Sequence, residues 1–252
     1  MSSDYTVIAP FYDRLGLSDF AASMAPHLLT FAQQHDWVGR RVLDLGCGTG
    51  GATRWFAEHG YSVVSVDEDA AMLDQLRGNT GDVAHVDVLQ ADIRALDASA
   101  IDRADMVLAV DTLNDMSSLR DVEAVLKSVS AILSAGKYFL FDLQTLYGLA
   151  ETGRASDSLI HDESGLVVFQ QSAYDFERQV CHLTYDIFAE QTAGVWSRSR
   201  ARLVRRAYPV AAVATLAKRH QFELMALVDV NLNRVDANAL DVARVIFMVK
   251  KL

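Results

Sequence analysis

Residues 42–51 read Val-Leu-Asp-Leu-Gly-Cys-Gly-Thr-Gly-Gly, an apolar run that ends in glycines, and its chemistry depends on which glycines are counted with the acid ahead of them. Gly46, Gly48 and Gly51 satisfy GxGxxG, the pattern in which a pyrophosphate rests on a helix N-terminus. Gly46, Gly48 and Gly50, with Asp44 two residues ahead, satisfy DxGxGxG instead. A carboxylate at that point repels a pyrophosphate and attracts a cation. Asp44 therefore turns the loop from an anion cradle toward a site for a positively charged group.

Two more acids stand at comparable places. Asp67 closes the run Ser-Val-Val-Ser-Val-Asp, where a carboxylate can accept both hydroxyls of a ribose in either kind of cofactor. Asp92, in Gln90-Ala91-Asp92-Ile93, can accept from the exocyclic amine of an adenine while Ile93 covers the ring. A strand-end Asp alone is a common turn former. Three in register at successive strand ends describe an adenosine ligand with a cationic far end. S-adenosylmethionine, which carries a sulfonium and an ammonium and no phosphate, satisfies all three better than a nicotinamide or flavin dinucleotide.

Positioning these residues calls for strands alternating with helices. Residues 18–36 read as a helix with Ser18 as N-cap and Pro26 as an interruption. Strand 41–46, helix 51–59, strand 61–66 and helix 70–77 follow, with Asp69 as N-cap and Gly78-Asn79 as the stop. Strand 85–90, strand 105–110, helix 118–134 and strand 137–143 continue the pattern. Such alternation means βαβ units and a parallel sheet. Beyond Asp142 the pattern changes to alternating runs at 167–172, 180–190 and 195–208, separated by short turns, which predicts an antiparallel meander. Pro209 then opens a helix to about 220, and strands 223–230 and 243–249 close the sheet. The expected fold is α/β: a doubly wound, Rossmann-like sheet with an antiparallel β insert after strand five. We read 1–252 as a single domain: a helical segment 1–38, a cofactor-binding core 39–150 and 207–252, and the insert at about 153–206.

The bulk properties narrow the partners. With 252 residues, 51% of them hydrophobic, the chain can bury a large core. A balance of 23 basic against 33 acidic residues, net −10, repels phosphate backbones and argues against nucleic acid. Met1–Leu15 lacks the basic and apolar regions of a signal peptide, and no run of eighteen apolar residues predicts a membrane span. The expected compartment is the cytoplasm. Cys47 and Cys181, far apart in sequence, suggest neither a disulfide frame nor a metal cluster.

VLDLGCGTG, VVSVDEDAAML, LQADIRAL and a strand ending VDTLNDM together resemble the class I S-adenosylmethionine-dependent methyltransferases. APFYDRL at 9–15, DTLNDM at 111–116 and FDLQTLYGL at 141–149 are similar to a bacterial subgroup acting on small molecules, amino sugars among them. That resemblance implies a seven-stranded sheet whose last strand is antiparallel. It also implies that Asp44, Gly46, Cys47, Gly48 and Gly50 surround the methionine part, Asp67 the ribose, and Asp92 with Ile93 the adenine. Glu68 and Met72 would flank ribose and adenine, and Asp111, at the fourth strand end, joins the cofactor set. Asp69 stands where Ser is usual, and Gln144 where Asn is common.

For the acceptor, the resemblance points to Tyr12 closing over the methyl group, to Asn114 as a substrate-facing polar group, and to Tyr147 beyond strand five. Tyr12 reads equally well as an aromatic packing the N-terminal segment. The run Trp-Ser-Arg-Ser-Arg-Ala-Arg-Leu-Val-Arg-Arg at 196–206 places Trp196, Arg198, Arg200 and Arg202 on one strand face. That face is either a cationic wall selecting an anionic or aromatic acceptor, or a solvated surface whose arginines pair with surplus acids. His161 and His182 lie in the insert and could reach a substrate. The expected activity is methyl transfer from S-adenosylmethionine to a small-molecule N or O acceptor by a monomer or homodimer, leaving S-adenosylhomocysteine. Two other classes stay open: a non-enzymatic S-adenosylmethionine-binding module, and an NAD(P)-dependent oxidoreductase, which Asp44 and the missing Ser/Tyr–Lys spacing oppose.

Overall fold

The computed structural model describes residues 3–99, 101, 103–154, 158–239 and 241–252. Residues 1 and 2 of the N-terminal segment and residues 155–157 at the entry to the insert therefore lie outside the described residues. The chain builds two sheets. The first contains β1 (Arg41–Leu45), β2 (Ser62–Asp67), β3 (Val86–Gln90), β4 (Met106–Ala109), β5 (Tyr138–Gln144), β10 (Phe222–Val228) and β11 (Arg244–Lys251), in the order β10-β11-β5-β4-β1-β2-β3. Only β11 runs against its neighbours, pairing antiparallel with both β5 and β10. Strands progress outward from β1 to β2 and β3, then restart at β4 on the other side. The crevice above the carboxyl ends of β1 and β4 is thus the switch point where such sheets bind ligands.

The central strands are nearly continuous apolar runs because helices cover both faces: every residue of β4 is buried, as are Tyr138–Leu143 of β5. On one face α5 (Leu119–Ile132) buries Val122, Val125, Leu126, Val129 and Ile132, a helical spacing of three and four, and α7 (Val210–Arg219) packs beside it. On the other face lie α2 (Asp19–Gln34) and α3 (Gly51–Glu58). The helix α2 runs unbroken through Pro26, contrary to the expected interruption, because Met24, Ala25, Leu28, Phe31 and Ala32 are buried on both sides of it. Ser18 occupies the N-cap position of α2 without a capping side-chain bond. The helix α4 (Ala70–Thr80) also passes its expected stop at Gly78, since Leu76 and Thr80 are buried in its last turn. Asp69 caps it as predicted, accepting from the backbone of Ala71 and Met72.

Two elements escaped the pattern. The helix α6 (Leu146–Arg154) follows β5 directly; Gly148 and Gly153 make it a poor helix by propensity, yet a Cβ at either would strike Ala243 or Tyr174. The strand β6 (Ser158–Glu163) adds a fourth, mostly exposed strand to the insert. With β7 (Leu166–Asp175), β8 (Val180–Thr192) and β9 (Val195–Arg206) it makes an antiparallel sheet in the order β6-β7-β8-β9. One face of that sheet, with Val168, Leu183, Tyr185, Ile187 and Leu203, packs on Ile8, Met72 and Leu149. The N-terminal segment, with its short helix α1 (Tyr5–Ile8), covers the edge of β9: Asp4 N–H donates to the Arg202 carbonyl at 2.8 Å, and Arg202 N–H to the Asp4 carboxylate at 3.0 Å. Among the described residues no helix is long and apolar enough to cross a membrane.

Candidate active site

A cleft of about 1110 Å³, its open mouth included, lies over the switch point. Its floor is the glycine loop. Gly46 has φ +64°, and a Cβ there would meet Thr112 Cγ2 at 2.3 Å, so this position needs glycine for its backbone and for space alike. Nothing stands within 4 Å of where a Cβ at Gly48 would point. Gly50, at φ +92°, is the N-cap of α3, and its would-be Cβ meets Leu76 at 2.9 Å. Gly50 does not line the cleft, whereas Gly51 and Thr49 do. Its glycine is demanded by packing against α4.

The acids at this end hold few protein partners. Asp44 is buried at the end of β1 and accepts from the Thr53 hydroxyl at 2.7 Å. Burial pushes its carboxyl up to about 6, and the nearby Asp67 adds to the rise. Asp67 accepts from the backbone N–H of Gly48 and of Asp69, both at 2.9 Å, and burial raises its carboxyl too. Among the described residues neither meets a guanidinium or ammonium. Asp13 reaches over from the N-terminal segment to accept from Thr49 at 2.5 Å and Asn79 at 2.7 Å, tying that segment to the loop. This tether brings Tyr12 into the cleft wall, beside Tyr5. Burial raises the phenols of both above their ordinary value.

At the β3 end, Ile93 is buried in the cleft wall, as are Met72 and Cys47, whose thiol burial pushes up. Glu68 lies at the rim with its side chain mostly exposed. Asp92 lines the cleft, but Arg94 grips its carboxylate at 2.8 Å through both Nε and Nη2 and holds it below the usual range. Sequence reasoning missed Arg94, although its i+2 spacing from a strand-end Asp was visible.

The end near β4 is built differently. Asp111 has φ +58°, a left-handed backbone that a non-glycine residue adopts only when its surroundings demand it. Its N–H donates to Asp142 Oδ1 at 2.6 Å, and its carboxylate meets Arg205 and Arg244, each at 2.7 Å. Arg244 also pairs with Asp142. Those guanidiniums keep Asp111 low despite its burial. Arg205 comes from β9 in the insert, so this pair locks the second sheet onto the first.

Several acceptor candidates are not brought to the cleft. Asn114 is buried, but its amide donates to the carbonyls of Gln144 and Arg206 and accepts from Gln144 N–H, so it staples three chain segments and is not part of the cleft lining. Tyr147 sits exposed on α6, outside the cleft lining. Trp196, Arg198 and Arg200 occupy the outer face of the insert, where Arg198 and Arg200 converge on Asp186 at 2.6 and 2.7 Å. The solvated-surface reading of that face is the one its geometry supports. The arginine that matters is Arg205, of opposite parity. Ala201 and Leu203 share its parity and are buried, which was the sequence signal for the inward face.

Residues 42–136 match the family model described as a methyltransferase domain. "Putative methyltransferase YqeM" of Bacillus subtilis (strain 168) is 28% identical over 170 residues, covering 64% of this chain and 69% of the relative. The stretch 42–136 is a methyltransferase domain, and it holds the glycine loop with Asp44, Asp67 and Asp92. The matched domain makes the chain an enzyme of methyl transfer. The fold is shared over almost the whole length with solved structures. A S-adenosylmethionine-dependent methyltransferase from Clostridium acetobutylicum ATCC 824 superimposes with a TM-score of 0.80 at 21% identity, covering 96% of this chain and 97% of the other. CalS10 of Micromonospora echinaspora, an amino pentose methyltransferase solved with S-adenosylmethionine bound, gives 0.71 at 17% identity, covering 96% of both.

The residues present fit that cofactor. Space opens beside Gly48, and among the described residues Asp67 offers a half-buried carboxylate on which only backbone N–H groups lie while Asp44 has no cationic partner. The cleft lining includes Asp44, Asp67, Glu68, Asp69, Asp92, Asp111 and Asp115 against Arg94 alone. Such a lining suits a sulfonium and an ammonium and disfavours a pyrophosphate.

Proposed function

We propose that this methyltransferase modifies a nitrogen or oxygen of a small-molecule acceptor that enters the cleft at its Tyr5, Tyr12 and Asp115 end. The observation that carries this reading is the division of the cleft. Its glycine-loop half presents acids without cationic partners, while its β4 half adjoins the tyrosines of the N-terminal segment. Asp44, the glycine loop and Cys47 would hold the methionine part, Asp67 and Glu68 the ribose, and Met72, Asp92 and Ile93 the adenine. S-adenosylmethionine supplies the chemical drive, an activated methyl group on a sulfonium. The chain's own residues orient the acceptor and exclude water, which contributes roughly 7–11 kcal/mol to such a reaction. Tyr12, held by the neighbouring Asp13 tether, covers the cleft from the N-terminal side. Asp111, clamped by Arg205 and Arg244, shapes the wall from behind. CalS10 acts on an amino pentose, which supports an acceptor of similar size here. We read the insert as part of one domain with the core, since Arg205 ties it to Asp111 of the cleft wall, and we propose a monomer or homodimer.

The test is a calorimetric titration of the full chain with S-adenosylmethionine, S-adenosylhomocysteine and NAD, repeated on Asp67→Ala. Micromolar binding of the first two, no binding of NAD, and loss in the variant are expected. Tight NAD binding would overturn the assignment of the cleft.

A further inference from the structure

The buried charges behind the cleft do not balance. Asp111, Asp115 and Asp142 face two guanidiniums, Arg205 and Arg244. Asp111 takes both arginines, and Asp142 takes Arg244 and a backbone N–H. Asp115 is left with the excess negative charge. Its Oδ1 and the Nε of Arg205 are both buried without a hydrogen-bond partner, 3.8 Å apart. Among the described residues the one hydrogen bond to its carboxylate comes from Tyr5, whose hydroxyl donates to Oδ2 at 2.5 Å. Tyr5 and Asp115 both line the cleft, next to Tyr12 and Met116.

We propose that Tyr5 and Asp115 form a proton-accepting pair for a protonated amine acceptor, Tyr5 meeting the acceptor N–H and Asp115 receiving the proton through the Tyr5 hydroxyl. The inference rests on the methyltransferase reading of the cleft. The acceptor ammonium gives one proton to Tyr5 Oη as the Tyr5 proton passes to Asp115 Oδ2. The amine keeps the freed electron pair for the methyl group, and the new carboxylic acid removes the excess negative charge. Tyr5 gains one proton and loses one, so no phenolate forms, in keeping with its burial.

Burial, with help from Asp111 and Asp67, pushes the Asp115 carboxyl up to about 7, while Arg205 and the Tyr5 hydrogen bond pull it down. Tyr12, Tyr185 and Tyr208 are the other titratable groups near it, and all three remain protonated at neutral pH because burial raises them. A base in that range lies roughly 3 pH units below an alkylammonium and roughly 9 below a water-like hydroxyl. The pair is therefore matched to an ammonium and poorly matched to an alcohol.

The experiment follows the Asp115 carboxyl carbon by NMR in the full chain with ¹³C-labelled aspartate, saturated with S-adenosylhomocysteine; Asp115→Asn assigns the signal. Titrations are run alone, with a pool of small primary amines, and with the corresponding alcohols. We expect a midpoint near neutrality that falls by a pH unit or more with the amines, because a cation favours the carboxylate, and that stays put with the alcohols. Tyr5→Phe should abolish the amine effect. A wild-type midpoint in the ordinary carboxylate range, or equal responses to the two pools, would overturn the pair. Failure of wild type to bind S-adenosylhomocysteine would instead overturn the reading of the cleft.

Discussion

The strand β9 carries arginines on both faces, and the two faces behave as different materials. On the outer face Arg198 and Arg200 share the carboxylate of Asp186 with their side chains 56% and 43% exposed. On the inner face Arg205, only 12% exposed, meets Asp111 with the same 2.7 Å geometry that Arg200 makes with Asp186. Distance alone does not separate these pairs. Solvent does: Asp186 and Asp111 are covered to a similar degree, but the outer guanidiniums stand half in water, which screens that pair, whereas Arg205 is almost wholly withdrawn from it. The lesson extends to the cleft. Arginines neutralise the acids that hold the two sheets together, while Asp44 and Asp67 are left to backbone N–H groups and a hydroxyl, free to meet a cationic ligand.

The contrast is broken most directly by Arg205→Ala, which strands Asp111 with Arg244 alone and leaves Asp115 without any guanidinium. A loss of about 3–5 kcal/mol of stability is expected, read by urea denaturation. A loss under 1 kcal/mol would mean that the inner pair is no different from the outer one.

Next in size is Asp44→Asn, which keeps the Thr53 hydrogen bond and removes the charge. Cofactor affinity should fall roughly 10- to 100-fold, as when a hydrogen bond to a charged group is lost, measured by calorimetry. The same variant sharpens the contrast in the ligand-free protein. Because the native carboxyl lies at about 6, above its unfolded value, the folded state holds the proton more tightly. Asp44 therefore costs nothing below about pH 4 and progressively destabilises the fold as pH rises to about 6, by about 3 kcal/mol in all. Subtracting the variant's stability curve from that of wild type should give this slope between pH 4 and 6 and a flat difference above it. A flat difference throughout would place Asp44 in contact with water.

The smallest effect belongs to the outer face. Converting Arg198 and Arg200 together to Ala should change stability by no more than about 1 kcal/mol, as for exposed ion pairs, and leave acceptor kinetics unchanged. A rise in acceptor KM would return that face to the active site.

Much of this was legible beforehand, and the exceptions share a cause. The βαβ alternation and the apolar runs of β4 and β5 were visible because burial on both faces imposes a composition that no surface strand has. The acids at the ends of β1, β2 and β3 were visible because strand ends converge on one edge of a parallel sheet. What misled was local resemblance without tertiary context. Asn114 and Tyr147 stand in stretches that resemble substrate-binding segments, but one staples chain segments together and the other lies exposed outside the cleft lining. The α6 helix was hidden because its glycines answer to close packing against Ala243 and Tyr174, contacts made across the molecule.

By itself the sequence determined the order of strands and helices, the glycine loop, and the acid that turns it toward a cation, because these depend on neighbours within a few residues. Only the tertiary structure decided which face of β9 turns inward, which arginine reaches Asp111, and which carboxylate is left over. Those outcomes depend on sheet-to-sheet packing and on counting charges drawn from positions 111, 115, 142, 205 and 244. Buried charge is settled by what surrounds it in space, and separation along the chain carries no information about that.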